Sequence, residues 1–109
     1  EHCKDSFGVI IFGKTREKYV YSGDCRPTEM LINFGQNCDL LIHEATFDDN
    51  LIIQAQNKRH STISEAREVG IKMNSKLTIL THFSQRYPQI HPSQIESDTI
   101  KLAYDFLRI

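Results

Sequence analysis

Ionisable side chains follow three segments of the chain that are apolar enough to be buried strands. Asp24 comes one glycine after KYVYS, and His82 comes directly after LTILT. Between them along the chain, His43 and Glu44 follow DLLI. Because ligands of α/β sheets bind beyond the carboxyl ends of the strands, we expect these four side chains to share one rim of a sheet.

The chemistry of this set is that of a metal site. Two histidines and an aspartate, without a thiolate, suit Zn²⁺ or Mn²⁺. A carboxylate such as Asp24 can bridge two ions about 3.5–4 Å apart, and paired ions catalyse phosphoester cleavage. His60 lies just before a predicted helix, whose N-terminus favours anions such as phosphate. Together these residues favour a metal-dependent hydrolase.

Each of these residues also has an ordinary structural explanation. Asp24 in a Gly-Asp pair suits a tight turn, and His82 at a strand end can be a hydrogen-bonded histidine. His43 and Glu44 can form a surface pair, and His60 can belong to a loop or a helix cap. The hydrolase hypothesis therefore rests on their coincidence at strand ends.

The elements that must position these residues alternate between strands and helices. Strands are predicted at 6–12, 18–22, 39–42, 77–80 and 100–106, the first two as a hairpin. Helices are predicted at 27–34, 48–57 and 62–74, and the prolines at 84–93 indicate a loop. This order, β-β-α-β-α-α-β-loop-β, predicts a layered α/β domain.

Local signals mark two of these elements. Thr62 and Glu65 form a T-x-x-E capping box at a helix start, and Gly70 inside that helix costs about 1 kcal/mol relative to Ala, which favours an early break. Four large apolar residues alternate near the C-terminus: Ile100, Leu102, Tyr104 and Phe106. A helical face through the same segment is the alternative, and the cleaner alternation favours a strand.

The composition limits the classes of protein to which this chain can belong. The 109 residues are 25% charged and 39% hydrophobic, as expected for one globular domain. A net charge of −1 excludes a strongly basic nucleic-acid coat, although not an enzyme that touches nucleic acid in one place. Three cysteines without a CxxC pattern indicate free thiols in a reducing compartment. The missing initiator Met leads us to expect a segment of a longer protein.

Five short motifs occur in an order that is specific to one family. They are HCKDSFG at 2–8, SGDCRP at 22–27, LIHEATF at 41–47, HST at 60–62 and THFSQRY at 81–87. In this order they resemble ribonuclease Z, the tRNA 3′-processing endonuclease family of the metallo-β-lactamase superfamily. The HEAT and HST motifs discriminate this family from other nucleases of the superfamily, which share only the histidine–aspartate–histidine metal ligands.

The resemblance implies a role for each matching residue. His2, which alone suggests a surface histidine, would bind the first zinc, Asp24 would bridge both zincs, and His82 would bind the second. His60 would assist departure of the 3′ oxygen at the scissile phosphate, and Glu44 would orient His60. A histidine partnered by a carboxylate has a pKa suited to general acid chemistry.

The resemblance also implies what lies outside this chain. The family signature His-x-His-x-Asp-His, which supplies the remaining zinc ligands, has no match here and lies upstream in the family. We therefore expect residues 1–109 to be a single domain fragment, the C-terminal half of a metallo-β-lactamase-type αββα four-layer sandwich. The spacing of the first two motifs resembles the long, eukaryotic-type form. His43 is expected to be structural, and Arg86 and Tyr87 match the last motif without an assigned role.

The implied parent protein is a zinc-dependent endoribonuclease that removes the 3′ trailer from precursor tRNA by two-metal phosphodiester hydrolysis, with Mn²⁺ as the other fitting ion. Its partners would be precursor tRNA and the remainder of the polypeptide, with no membrane partner. We expect an intracellular location, in the nucleus or mitochondrion of a eukaryote, and no activity of this chain alone. Two alternatives stay open: another phosphodiesterase of the same fold, and a non-catalytic structural half.

Overall fold

A five-stranded sheet forms the centre of the computed structural model, which describes residues 2–84 and 92–109. The strands lie in chain order: β1 Val9–Phe12, β2 Lys18–Tyr21, β3 Leu40–Glu44, β4 Leu77–Thr81 and β5 Ile100–Leu102. β1 and β2 form the predicted antiparallel hairpin, and the other neighbouring strands are parallel. The carboxyl ends of β2, β3 and β4 consequently lie at the same edge.

The helices follow the predicted order with one addition. They are α1 Glu29–Phe34, α2 Ile52–Lys58, α3 Ile63–Lys72 and α4 Pro92–Ile95. A 3₁₀ turn, Asp49–Leu51, leads into α2, and the short α4 replaces the end of the loop predicted at 84–93. The residues between, with Arg86 and Tyr87 of the last motif, lie outside the described residues.

Local capping sets where two helices begin. α1 starts two residues after Pro27 because the Thr28 side chain accepts a hydrogen bond from the backbone N–H of Leu31. α3 starts with the predicted capping box, in which the Thr62 and Glu65 side chains each accept the other's backbone N–H.

The predicted break at Gly70 is wrong, because α3 continues through that residue to Lys72. A Cβ atom at Gly70 would overlap the hydroxyl of Thr78 on β4 and lie 3.1 Å from its two carbons. The glycine therefore allows the helix to lie directly against the sheet.

The prediction of a strand to residue 106 is also wrong in its length. β5 ends at Leu102, and Ala103 makes the last backbone bond to β4, at Leu80. Phe106 is 97% exposed and has a φ of 63°, so the alternation beyond Leu102 does not continue as a strand.

The hydrophobic core lies between the helices and one face of the sheet. One cluster joins α1 and α3 to β2 and β3: Val20, Ile32, Cys38, Leu41, Val69 and Met73. A second joins α3 and α4 to β4 and β5: Ala45, Ile63, Ala66, Leu80, Ile95, Ile100 and Leu102. These helices and the sheet account for two layers of an α/β sandwich.

The opposite face of the sheet is apolar and only partly covered. Alternation of side chains and the strand register place eight residues there. We call them the open face: Val9, Ile11, Tyr19, Tyr21, Leu40, Ile42, Leu77 and Ile79. The residues on β1 and β2 are exposed, and Ile79 near the middle is buried.

The remaining sequence-level expectations concern cysteines and membranes. Cys3, Cys25 and Cys38 are all free, as expected. Within the described part of the chain, no helix has the length and apolarity that a membrane span requires.

Candidate metal and proton-transfer site

Backbone contacts at the carboxyl edge of the sheet bring the motifs together. An isolated parallel bridge joins Phe47, after β3, to Thr62 before α3. The N–H of Phe47 donates to the carbonyl of Ser61 at 3.2 Å, and the N–H of Ile63 donates back to Phe47 at 3.1 Å. The HEAT and HST motifs are thereby held side by side, although the chain between them forms α2.

Left-handed backbone turns direct three of the site residues. Gly23, which precedes Asp24, has a φ of 60°, and a Cβ there would lie 2.7 Å from a backbone carbonyl oxygen, so only glycine fits. Arg59, which precedes His60, also has a φ of 60°. His82 itself has a φ of 60°, a conformation that non-glycine residues adopt rarely and that concentrates at functional sites.

The Asp24 carboxylate faces two histidines, one with each oxygen. Its Oδ2 lies 4.0 Å from Nε2 of His2, and its Oδ1 lies 3.7 Å from Nδ1 of His82. Zinc binds histidine nitrogens and carboxylate oxygens at about 2.0–2.2 Å, so each gap matches one ion held between the two atoms. The donor set therefore fits the predicted bridging role of Asp24.

His2 presents the correct nitrogen for such a site. Its Nδ1 lies 2.9 Å from the carbonyl oxygen of Arg59, and a carbonyl only accepts, so Nδ1 carries the proton. This bond leaves the Nε2 lone pair directed at Asp24. A second ring hydrogen bond of this kind is the usual way in which proteins orient a metal-binding histidine.

Glu44 is 2% exposed and its carboxylate accepts five hydrogen bonds. Oε1 accepts from the backbone N–H of Cys25 at 2.9 Å and from Nδ1 of His60 at 2.7 Å. Oε2 accepts from the N–H of Thr46 at 3.1 Å, its hydroxyl at 2.8 Å, and the N–H of Ser61 at 3.0 Å. With its lone pairs used, Glu44 suits holding His60 rather than a metal ion.

The His60 ring lies close to both metal-facing histidines, His2 and His82. Its ring centroid is 4.3 Å from that of His2 and 5.5 Å from that of His82. Because Nδ1 is bound to Glu44, only Nε2 is available for a ligand or a substrate atom. By distance alone His60 could be a further metal ligand. It has a ring nitrogen within 4.8 Å of ligand atoms of His2 and Asp24, and likewise of Glu44 and His82.

His43 and Glu44 are not the surface pair that the sequence left open, because both are buried at the end of β3. Successive strand residues point to opposite faces, so Glu44 reaches the site and His43 points towards the helices. Nδ1 of His43 donates to the Glu44 carbonyl at 2.7 Å, and its Nε2 lies 4.0 Å from Sγ of Cys25. Burial lowers the pKa of His43, and burial beside Glu44 raises the pKa of the Cys25 thiol to about 11. Both groups are therefore neutral at pH 7, which fits the expected structural role of His43.

The structure thus gathers all five predicted site residues: His2, Asp24, Glu44, His60 and His82. Sequence reasoning missed Thr46, whose hydroxyl lies 2.8 Å from Nδ1 of His82 and 3.2 Å from Nδ1 of His60 while donating to Glu44. Its position inside the HEAT motif was the available signal. It also missed Arg26, which contacts the His60 backbone and whose position inside the SGDCRP motif was the available signal.

The comparisons with known proteins agree with this fold. The family model described as a β-lactamase superfamily domain matches residues 1–83. The chain belongs to the β-lactamase superfamily, and the expected metallo-β-lactamase-type α/β fold is confirmed.

More specific similarities fall within one branch of that superfamily. The chain is 42% identical over 109 residues to human zinc phosphodiesterase ELAC protein 2, covering 99% of this chain and 13% of that protein. The crystal structure of human tRNase Z, short form, superposes with a TM-score of 0.76 and 34% identity over 94% of this chain and 37% of that chain. A long form RNase Z from yeast gives a TM-score of 0.71 and 43% identity over 84% of this chain and 13% of that chain. The predicted resemblance to ribonuclease Z is confirmed.

Proposed function

We propose that this chain supplies part of the active site of a zinc-dependent endoribonuclease that removes the 3′ trailer from precursor tRNA. The observation that carries the proposal is Asp24, whose two oxygens face His2 and His82 beside the Glu44–His60 pair. The substrate class is supported by the relatives named tRNase Z and RNase Z.

In this proposal His2, Asp24 and His82 hold the metal ions. When bound, zinc supplies positive charge that polarises the scissile phosphate and makes water a stronger nucleophile. The chain's own contribution is to fix these three side chains on strand-end loops before substrate arrives. The ordering is provided by the backbone turns before and at these residues and by the His2–Arg59 hydrogen bond.

His60 is the proton donor to the leaving 3′ oxygen. As water oxygen bonds to phosphorus and the bond to the 3′ oxygen breaks, Nε2 of protonated His60 delivers its proton to that oxygen. Glu44 holds Nδ1 of the same ring and stabilises the imidazolium before transfer. The five hydrogen bonds to Glu44 keep its carboxylate aimed at His60.

The remainder of the parent polypeptide completes the domain in this proposal. The chain spans 13% of the human relative, and its apolar open face suits a second sheet packed against it, at the spacing of about 10 Å usual for stacked sheets. The rest of the polypeptide would also supply the missing zinc ligands and most contacts to the tRNA backbone, because a net charge of −1 offers little cationic surface.

The first test is cleavage of a 3′-extended precursor tRNA by the full-length parent, with zinc content measured on the same samples. Asp24→Ala is expected to abolish cleavage and lower bound zinc, whereas Asp98→Ala, which removes an exposed carboxylate elsewhere, leaves both unchanged. Unchanged cleavage by Asp24→Ala would place the metal bridge elsewhere. A zinc-loaded wild type that cleaves other phosphodiesters but not precursor tRNA would favour the alternative of another phosphodiesterase of this fold.

His60→Ala separates proton transfer from metal binding. We expect kcat to fall by roughly 10²–10⁴-fold, the usual contribution of a general acid, while zinc content is retained. Loss of zinc in this variant would instead assign His60 as a ligand.

A further inference from the structure

The guanidinium of Arg26 links the backbone of His60 to the side chain of Glu65 in the capping box of α3. Nη1 donates to the carbonyl oxygen of His60 at 2.8 Å and to Oε2 of Glu65 at 2.6 Å. Nη2 donates to Oε1 of Glu65, which completes a two-pronged ion pair. The partners are 34 and 39 residues from Arg26 along the chain, so this contact is a product of the fold.

Glu65 is itself fixed by the helix that it belongs to. Its Oε2 accepts the N–H of Thr62 at 2.9 Å, and its own N–H donates to the Thr62 hydroxyl at 3.3 Å. Burial by itself raises the pKa of Glu65, but the hydrogen bonds from Arg26 and Thr62 hold it below its ordinary value. The capping box therefore also supplies an ionised, oriented partner for Arg26.

The backbone of His60 is held on both sides. Its N–H donates to the carbonyl of Ala55 in α2 at 2.9 Å, and its carbonyl accepts from Arg26. Arg59 before it is in the left-handed conformation, so the direction of the His60 ring depends on these two bonds. A shift of the backbone would move Nδ1 away from Glu44.

We infer that Arg26 is a positioning residue for His60, acting through Glu65 and the His60 carbonyl. The inference rests on the proposed function of His60 as proton donor. Arg26 contacts neither His2 nor His82 in the described hydrogen bonds, so its role is separable from metal binding. Only a planar guanidinium can bind both carboxylate oxygens while reaching the carbonyl; a lysine ammonium retains the charge but not this geometry.

The test compares two leaving groups in the full-length parent. When an RNA phosphodiester is cleaved, the leaving group is a ribose oxygen, which needs a proton. When an aryl phosphodiester is cleaved, the leaving group is p-nitrophenolate, which needs none. Arg26→Lys is expected to lower kcat by roughly 10²-fold for an oligoribonucleotide, as expected when proton donation is lost, with KM unchanged. Cleavage of the aryl ester and zinc content should stay close to wild type. His60→Ala provides the reference pattern, and Arg108→Lys, at an exposed arginine, is the matched control.

Glu65→Gln is the second variant, because it keeps one hydrogen-bond acceptor for the capping box and removes the ion pair. We expect the same selective loss with the oligoribonucleotide, in a smaller degree. Equal losses with both leaving groups, or a loss of zinc, would overturn the inference, and so would wild-type kcat in Arg26→Lys. Precursor tRNA is assayed in parallel. If the wild type fails to cleave it, the proposed function alone is overturned, because comparing the oligoribonucleotide with the aryl ester still tests the role of Arg26.

Discussion

The Thr46 hydroxyl is a small group that lies against three residues of the site. It donates to Oε2 of Glu44 and lies within hydrogen-bond distance of Nδ1 of both His60 and His82. Because the single hydroxyl proton goes to Glu44, the hydroxyl has no proton to donate to either histidine. One side chain therefore couples a proposed metal ligand to the proposed proton-transfer pair.

Thr46→Val keeps the branched shape and removes the hydroxyl, and we expect kcat of the parent to fall roughly tenfold, about 1.4 kcal/mol in activation free energy. The reason is that Glu44 loses one of its donors and the two histidines lose the oxygen that lies beside them. Steady-state kinetics with precursor tRNA and a zinc titration measure the two effects. Thr46→Ser restores the hydroxyl, and a serine variant as impaired as the valine variant would show that the methyl group matters instead.

At the level of elements, the site depends on how closely α3 approaches β4. The capping box starts α3 beside the HST motif, and Gly70 lets the same helix lie on Thr78 further along. The helix thereby covers Leu80, one residue before the end of the strand that leads to His82. A helix displaced from the sheet would carry Glu65 and the HST motif with it.

Gly70→Ala is therefore expected to destabilise the parent by about 1–3 kcal/mol, as overpacking does, even though alanine favours helices. Thermal unfolding measures the change. Gly13→Ala is the matched control, because a Cβ there meets only the flexible side chain of Glu17. A rise in Tm for Gly70→Ala would mean that helix propensity outweighs the close contact.

At the scale of the whole molecule, the fold leaves the apolar open face only partly covered by the described residues. β3 and β4 carry apolar residues on both faces, LLI in β3 and the leucines and isoleucine of LTILT in β4, a pattern typical of strands buried on both faces. Of their residues on the open face, Leu40, Ile42 and Leu77 are only part-buried, whereas Ile79 is buried. The site lies at the edge of this face, since Glu44 alternates with Leu40 and Ile42.

If a second sheet covers the open face in the parent, Ile11→Glu should lower stability by at least about 2 kcal/mol, because an unpaired charge would be buried. Ile71→Glu is the control on the outer surface of α3. Ile11 and Ile71 are 57% and 68% exposed in this chain. The two variants should therefore differ in stability only if another part of the parent polypeptide buries Ile11. Equal Tm values for the two variants would contradict the proposed sandwich.

The amino-acid sequence by itself determined the order of the strands and the longer helices, and which ionisable residues follow the strand ends. Strand ends, the capping box and the hairpin are local features, set by side-chain periodicity and by hydrogen bonds within a few residues. Because parallel strands align their carboxyl ends, residues such as Asp24, Glu44 and His82 had to approach one another once that order was known.

Only the tertiary structure decided how those residues face each other. It placed Glu44 against His60 and buried His43, gave each Asp24 oxygen its own histidine, and joined Arg26 to Glu65. It also kept Gly70 inside a helix and ended β5 at Leu102. These outcomes depend on contacts between residues far apart in the chain, whose energies are set by packing and strand register rather than by local propensity.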